Sequence, residues 1–155
     1  MGLPKIELPI REMILPSTGK PIKYRPFTVK EEKILLVAQE SDDGMQEIIA
    51  ARQVVNNCLL DVDVDQIAMF DLEFIILMIR SVSVDNQIDF NINDPDTDEE
   101  VELKLDLNDV QVMKDDGHTN KIQINDQYTL FLKYPSIDEY IKIQQLAPND
   151  PLASY

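Results

Sequence analysis

From Leu72 to Ile79 every residue except Glu73 is apolar, and this run lies inside Phe70-Asp-Leu-Glu-Phe-Ile-Ile-Leu-Met-Ile-Arg-Ser-Val-Ser-Val84. A segment with so little polar surface predicts a helix buried on most sides, with several neighbours packed around it. Asp71 is expected to cap its first amides, with Phe70 and Ile75 at the two positions of a hydrophobic staple. Arg80 falls near the expected C-terminus, where the helix dipole favours a cation. A charge on so apolar a helix needs a partner, and Glu73 or an acid of the preceding helices is expected to meet it. The run is shorter than the roughly 20 residues that cross a bilayer. Its burial falls to the rest of the chain or to a partner.

Charge narrows the choice of partner. The chain has 155 residues, 29 of them acidic and 14 basic, for a net charge of -15. Residues 1–60 balance eight acids with eight bases, whereas residues 61–120 carry seventeen acids and three bases. So acidic a middle repels phosphate, which argues against nucleic acid or an anionic membrane. A basic protein surface suits it, and so does plain solvation of an acidic face. With Cys58 as its single cysteine, the chain forms no intrachain disulfide and gains nothing from an oxidising compartment. The N-terminus has no basic start followed by an apolar run, so no secretory signal is expected.

Read in order, the chain divides into four stretches. Residues 1–27 hold Pro4, Pro9, Pro16, Pro21 and Pro26, a density that forbids a continuous helix and predicts an extended arm. Ile6, Leu8, Ile10 and Ile14 alternate along it, and Ser17-Thr-Gly-Lys20 reads as a turn. Residues 28–84 form a helical unit. Thr28-Val-Lys-Glu31 is a capping box opening a helix to about Glu40, and Asp43 can cap a second running to about Leu59. The apolar helix is the third. Residues 85–135 change to a period of two: Ile88, Phe90 and Ile92 are answered by Val101, Leu103, Leu105 and Leu107 across the turn Asp94-Pro-Asp-Thr-Asp98. Val110 and Val112 read as a short third strand, Ile122 and Ile124 as another, and Tyr128 to Tyr134 as the return. Residues 136–155 hold a second capping box, Ser136-Ile-Asp-Glu139, a short helix to Leu146 and a polar tail. The tail has the form of a chain cut before it finished. The expected class is α+β: a three-helix unit, a small antiparallel sheet wet on one face, and a short C-terminal helix.

No stretch rises to an active site. Asp61, Asp63 and Asp65 alternate as in a calcium loop, but Gln66 and Leu72 stand where such a loop needs glycine and glutamate. His118 lies among Asp115, Asp116 and Gly117 with no nucleophile placed beside it. Cys58 has no cysteine or histidine nearby to complete a zinc site and reads as a small buried apolar residue. With 4 glycines there is little material for a phosphate loop. No cofactor or metal is expected. Lys20, Lys23 and Arg25, interleaved with Tyr24 and Phe27, make too short a patch for nucleic acid.

Three blocks carry a resemblance: Tyr24-Arg-Pro-Phe-Thr-Val-Lys-Glu-Glu-Lys-Ile-Leu-Leu36, Val55-Asn-Asn-Cys58, and Phe70-Asp-Leu-Glu-Phe74 with Ile79-Arg-Ser-Val-Ser-Val84. In order and spacing they resemble the baseplate hub proteins of T4-like contractile-tailed bacteriophages, over about residues 7–84. The acidic segment from 85 to Pro135 resembles that family in general pattern, closing on Tyr134-Pro135. Arg25, Pro26, Phe27, Glu31, Phe70, Asp71, Glu73 and Arg80 match its recurrent positions, where the residues themselves suggest capping, stapling and ion pairs between helices. The resemblance implies a late viral protein without catalysis, assembled in the host cytoplasm into the tail baseplate of the virion. Its implied partners are other hub and spike proteins, with the tape-measure protein nearby; contacts between copies follow instead from the charges of the arm and the acidic sheet. A chaperone-like acidic module that leaves before the tail matures is the alternative. Chains of that family usually continue into a further helical region with a cysteine pair, which by this resemblance would be absent after Tyr155. The slightly basic arm is expected to lie on the acidic sheet, its own or a neighbour's.

Overall fold

The computed structural model of the chain describes residues 8–146. Pro4 and Ile6 of the arm, and the tail with Pro148, Asn149 and Pro151, lie outside them. The helix starts obey their local signals. The capping box at Thr28 and Glu31 opens α1, Val29–Glu40. The Asp43 carboxylate accepts the Met45 amide at 2.9 Å and opens α2, Gly44–Cys58. Between them Asp42 takes a left-handed turn at φ 52°, a conformation aspartate tolerates better than most residues. The two helices pack as a hairpin.

The apolar run is α3, Met69–Ser83. Its buried stripe is Asp71, Leu72, Ile75 and Ile79, narrower than expected, because Phe74 and Leu77 keep partial access to solvent. The stripe joins Val54, Val55 and Cys58 of α2 in one core. Asp71 does not cap this helix. Ala68 is the N-cap residue, held extended by a β-bridge to Ser136. The Met69 amide donates to the Pro135 carbonyl at 3.2 Å, so a helix-terminal donor is satisfied by a distant segment rather than a local side chain. The staple positions consequently pass from Phe70 and Ile75 to Ile67 and Leu72, both in the core.

The proline-rich arm is a hairpin: β1, Arg11–Ile14, pairs antiparallel with β2, Pro21–Tyr24. Gly19, at φ +69°, closes the connection, its amide donating to the Leu15 carbonyl at 2.8 Å. The alternating residues Ile10 and Ile14 face outward; Leu15, Ile22 and Tyr24 enter the core instead. The side that is buried is set by backbone bonds to the segment after α2. The Arg25 amide donates to Cys58, and the Leu60 amide to Lys23. The arm therefore packs in cis on the helices. Its bond to the acidic segment runs from Lys114 Nζ to the Pro16 carbonyl, 2.8 Å.

Beyond α3 the strands are antiparallel, divided into separate ladders. β3, Gln87–Asn93, pairs with β4, Glu100–Asp106; β5, Lys121–Gln123, pairs with β6, Thr129–Phe131. Leu107, completely buried, sits in a 3-10 turn at Leu107–Asp109 that packs on α3, and Val110–Val112 is not a strand. The Ser136 and Glu139 capping box forms, with the Ser136 amide on the Glu139 carboxylate at 3.0 Å and the reverse bond at 3.3 Å. It opens α4, Ile137–Leu146, whose Ile137 plugs into the core. The whole is α+β.

Candidate functional site

Four of the eight residues singled out from sequence meet at one corner. Arg25 donates from Nη1 to the Pro26 carbonyl at 2.9 Å and from Nη2 to Glu31 Oε1 at 3.1 Å. The other Glu31 oxygen accepts the Thr28 amide at 2.8 Å, and the Thr28 hydroxyl as well. Pro26 is buried, and the Phe27 amide donates to Ser83 Oγ at 2.9 Å, which ties the end of α3 to this corner. Glu31 is only 4% exposed. Burial by itself would raise its pKa, but the bonds from Thr28 and Arg25 outweigh it and hold the carboxyl at about 2.

Phe70 and Asp71 mark the other end of α3. Asp71 is completely buried and accepts the Ser17 amide at 3.0 Å and the Ser17 hydroxyl. A carboxylate in the first helical turn lies at the positive end of the dipole, so the helix itself favours this charge. Through it the β1–β2 turn is pinned to α3 across 54 residues of sequence. Asp71→Ala would leave the Ser17 donors without that acceptor and should lower stability by about 2 kcal/mol. Hydrogen exchange of the β1–β2 amides should accelerate with it; unchanged protection there would show that the hairpin is held by its apolar contacts alone. Phe70 packs edge-on against Tyr134, with ring centroids 4.8 Å apart.

Glu73 and Arg80 do not meet. Glu73 faces solvent, and Arg80 donates from Nη1 to the Asp85 carbonyl at 3.2 Å, making no ion pair among the described residues. The two side chains stand seven positions apart, about 10 Å along the axis, and α3 leaves one flank open where a cation is solvated. The cation that does bridge elements is Arg52 of α2. It binds Asp65 through Nε at 2.8 Å and reaches Asp138 of α4 at 3.1 Å. Nothing in the local sequence marks Arg52, Ser17 or Ser83, because each acts on a partner chosen by packing.

The groups that could do chemistry are otherwise engaged. Asp61 accepts the Lys23 amide, Asp63 the Asp65 amide, and Asp65 binds Arg52. Burial pushes the Cys58 thiol up to about 11, away from the reactive thiolate. His118 Nε2 lies 2.5 Å from the Tyr134 hydroxyl, its ring stacked on the tyrosine in an exposed loop. Among the described residues no cluster of histidine, cysteine and acidic side chains could hold a metal ion, and no helix is long and apolar enough to cross a membrane.

What remains is surface. Cross-strand partners Ile88 and Leu105, Phe90 and Leu103, and Ile92 and Val101 share one face of the β3–β4 ladder. On the shorter ladder Ile122 faces Leu130, with Ile124, Tyr128 and Leu132 exposed beside them. Both ladders thus keep an apolar face partly open to solvent.

These features define a small α+β protein whose polar groups tie segments together and whose apolar ladders are uncovered. The chain matches the family model described as T4 bacteriophage base plate protein over residues 8–153, and it belongs to that family. It is thus a viral baseplate protein of the virion tail, with a structural role beside other baseplate components. The match extends past the helical blocks that suggested it, through the acidic ladders and into α4. Searches of curated proteins and of solved structures give no match.

Proposed function

We propose that this chain is a structural and assembly subunit of the central hub of the tail baseplate, and not an enzyme. The family match over residues 8–153 carries the reading. The engaged state of every carboxylate near the calcium-like run and the buried, high-pKa thiol of Cys58 support it. Its partners in this reading are neighbouring hub and spike proteins and the tape-measure protein, with contacts between copies of itself. Assembly takes place in the host cytoplasm and the finished protein stays in the virion. The corner at Arg25, Pro26, Phe27 and Glu31, the Phe70–Asp71 end of α3, and Glu73 and Arg80 would then serve to shape and present the subunit.

A second reading has its own observation. The acidic β3–β4 ladder with an uncovered apolar face would suit a chaperone-like module that shields a hub or tape-measure protein and then departs. Quantitative mass spectrometry of purified mature tails separates the two. A hub subunit is expected at a fixed copy number per tail. Presence in assembly intermediates together with absence from finished tails would overturn the structural role and leave the departing module.

A further inference from the structure

The β3–β4 ladder combines three properties that together specify what can cover it. Its strands are each seven residues long, in register from Gln87 with Asp106 to Asn93 with Glu100. One face carries Ile88, Phe90, Ile92, Val101, Leu103 and Leu105, and the last five are 37–45% exposed. No third strand joins it among the described residues. Its charge is one-sided: residues 85–109 hold ten acids and Lys104 as their single base.

We propose that this face receives an amphipathic helix of another protein, with leucine-like residues along one stripe and lysines or arginines on both flanks. The dimensions match. Two strands at about 4.8 Å spacing, with their side chains, offer a strip close to the 10 Å width of a helix. Seven residues extend about 23 Å, the length of roughly 16 helical residues. A sheet face buries its apolar side against a helix in most small domains, and among the described residues no helix lies on this one. Charge then selects the sign of the partner. The flanking cations can lay their methylene stems over the rim and place their heads near the acidic turn Asp94–Glu99 and the Asp106 end. A second copy of the same ladder would bring acid against acid, and an acidic membrane surface would be repelled. The inference rests on the assembly role and names the chemistry of one partner in it.

The test uses the full chain and a labelled peptide of about 16 residues, with leucines at helical spacing and lysines between them. Two controls keep its length: one with glutamate for lysine, and one of the same composition scrambled to abolish the apolar stripe. Anisotropy titrations should show binding of the basic helix and a loss of about tenfold or more for each control. The double variant Phe90→Ser/Leu103→Ser should lose at least about tenfold against the basic helix, and added salt should weaken binding to the native chain. If the double variant does not melt cooperatively, Phe90→Ser alone is read in the same way. Equal binding by the variant, equal binding of either control peptide, or no binding of the basic helix would overturn the proposal. So would a dimer of the intact chain that Phe90→Ser dissolves, because the face would then belong to a second copy. Peptide binding is read apart from tail occupancy, so failure here leaves the hub position standing, and absence from mature tails leaves this result standing.

Discussion

Ile75→Ala is expected to lower the free energy of unfolding by about 4 kcal/mol, the largest loss from any single substitution considered for this chain. Ile75 is completely buried near the middle of α3, between Leu72 and Ile79, and shares the core with Val54, Val55 and Cys58 of α2. Truncation removes three carbons' worth of apolar burial and leaves a void inside a core drawn from several elements, which cannot all move inward. Against a total stability of roughly 5–15 kcal/mol for a chain of this kind, the variant should unfold at a much lower urea midpoint with an unchanged slope. Leu36→Ala is the control, since Leu36 is 53% exposed and its loss should stay within about 0.5 kcal/mol. An Ile75→Ala loss as small as that of Leu36→Ala would mean that α3 is not the centre of the core.

The second large effect is on acid stability. Glu31 has its pKa depressed to about 2 in the folded chain, so its contribution is present above the unfolded carboxylate value near 4.3. It is lost progressively as pH falls from about 5 toward 2. The depression corresponds to about 3 kcal/mol at neutral pH. Glu31→Gln should remove most of that amount at pH 7 and flatten the acid limb of the stability curve. Glu139, also lowered to about 2 by its bonds to Lys133 and the Ser136 amide, titrates in the same window, which is why the difference between native and Glu31→Gln curves is the informative quantity. Parallel curves displaced by a constant amount would rule out Glu31 as the titrating group.

Where a structural decision was local, the sequence disclosed it. Thr28, Asp43 and Ser136 start their helices because a cap is a contact over two or three residues. The alternation of Ile88, Phe90 and Ile92 with Val101, Leu103 and Leu105 discloses both strands and their shared face, because a one-residue slip would turn every apolar side chain over. That Leu107 leaves the strand for a turn against α3 is not written in the alternation. Non-local decisions were hidden. Asp71 looked like a cap because it is a good capping residue before an apolar run; a bridge from Ala68 to Ser136 moved the start and freed the carboxylate for Ser17. Arg80 needs a carboxylate only if its side of α3 is closed to water, and that side stays partly open. Charge and proline spacing together point the arm toward the acidic segment, whereas backbone bonds from Arg25 to Cys58 and from Leu60 to Lys23 decide the matter. In the candidate site, Glu31 is legible as the capping-box partner of Thr28, three residues away; its bond to Arg25 and the roles of Arg52, Ser17 and Ser83 are not, since no local pattern points to those partners.

The bridge between Ala68 and Ser136 also fixes an order of events during synthesis. The core gathered from the β1–β2 hairpin, α2 and α3 is translated by Ser83, yet the wall that Ile137 supplies follows the whole acidic excursion. Until then the N-terminal part emerges with an apolar gap at the start of α3 and a free Met69 amide. At about 5–20 residues per second, that gap stays open for several seconds. The gap is therefore open throughout the synthesis of the chain's most strongly charged stretch, and it closes only when Ser136 and Ile137 arrive.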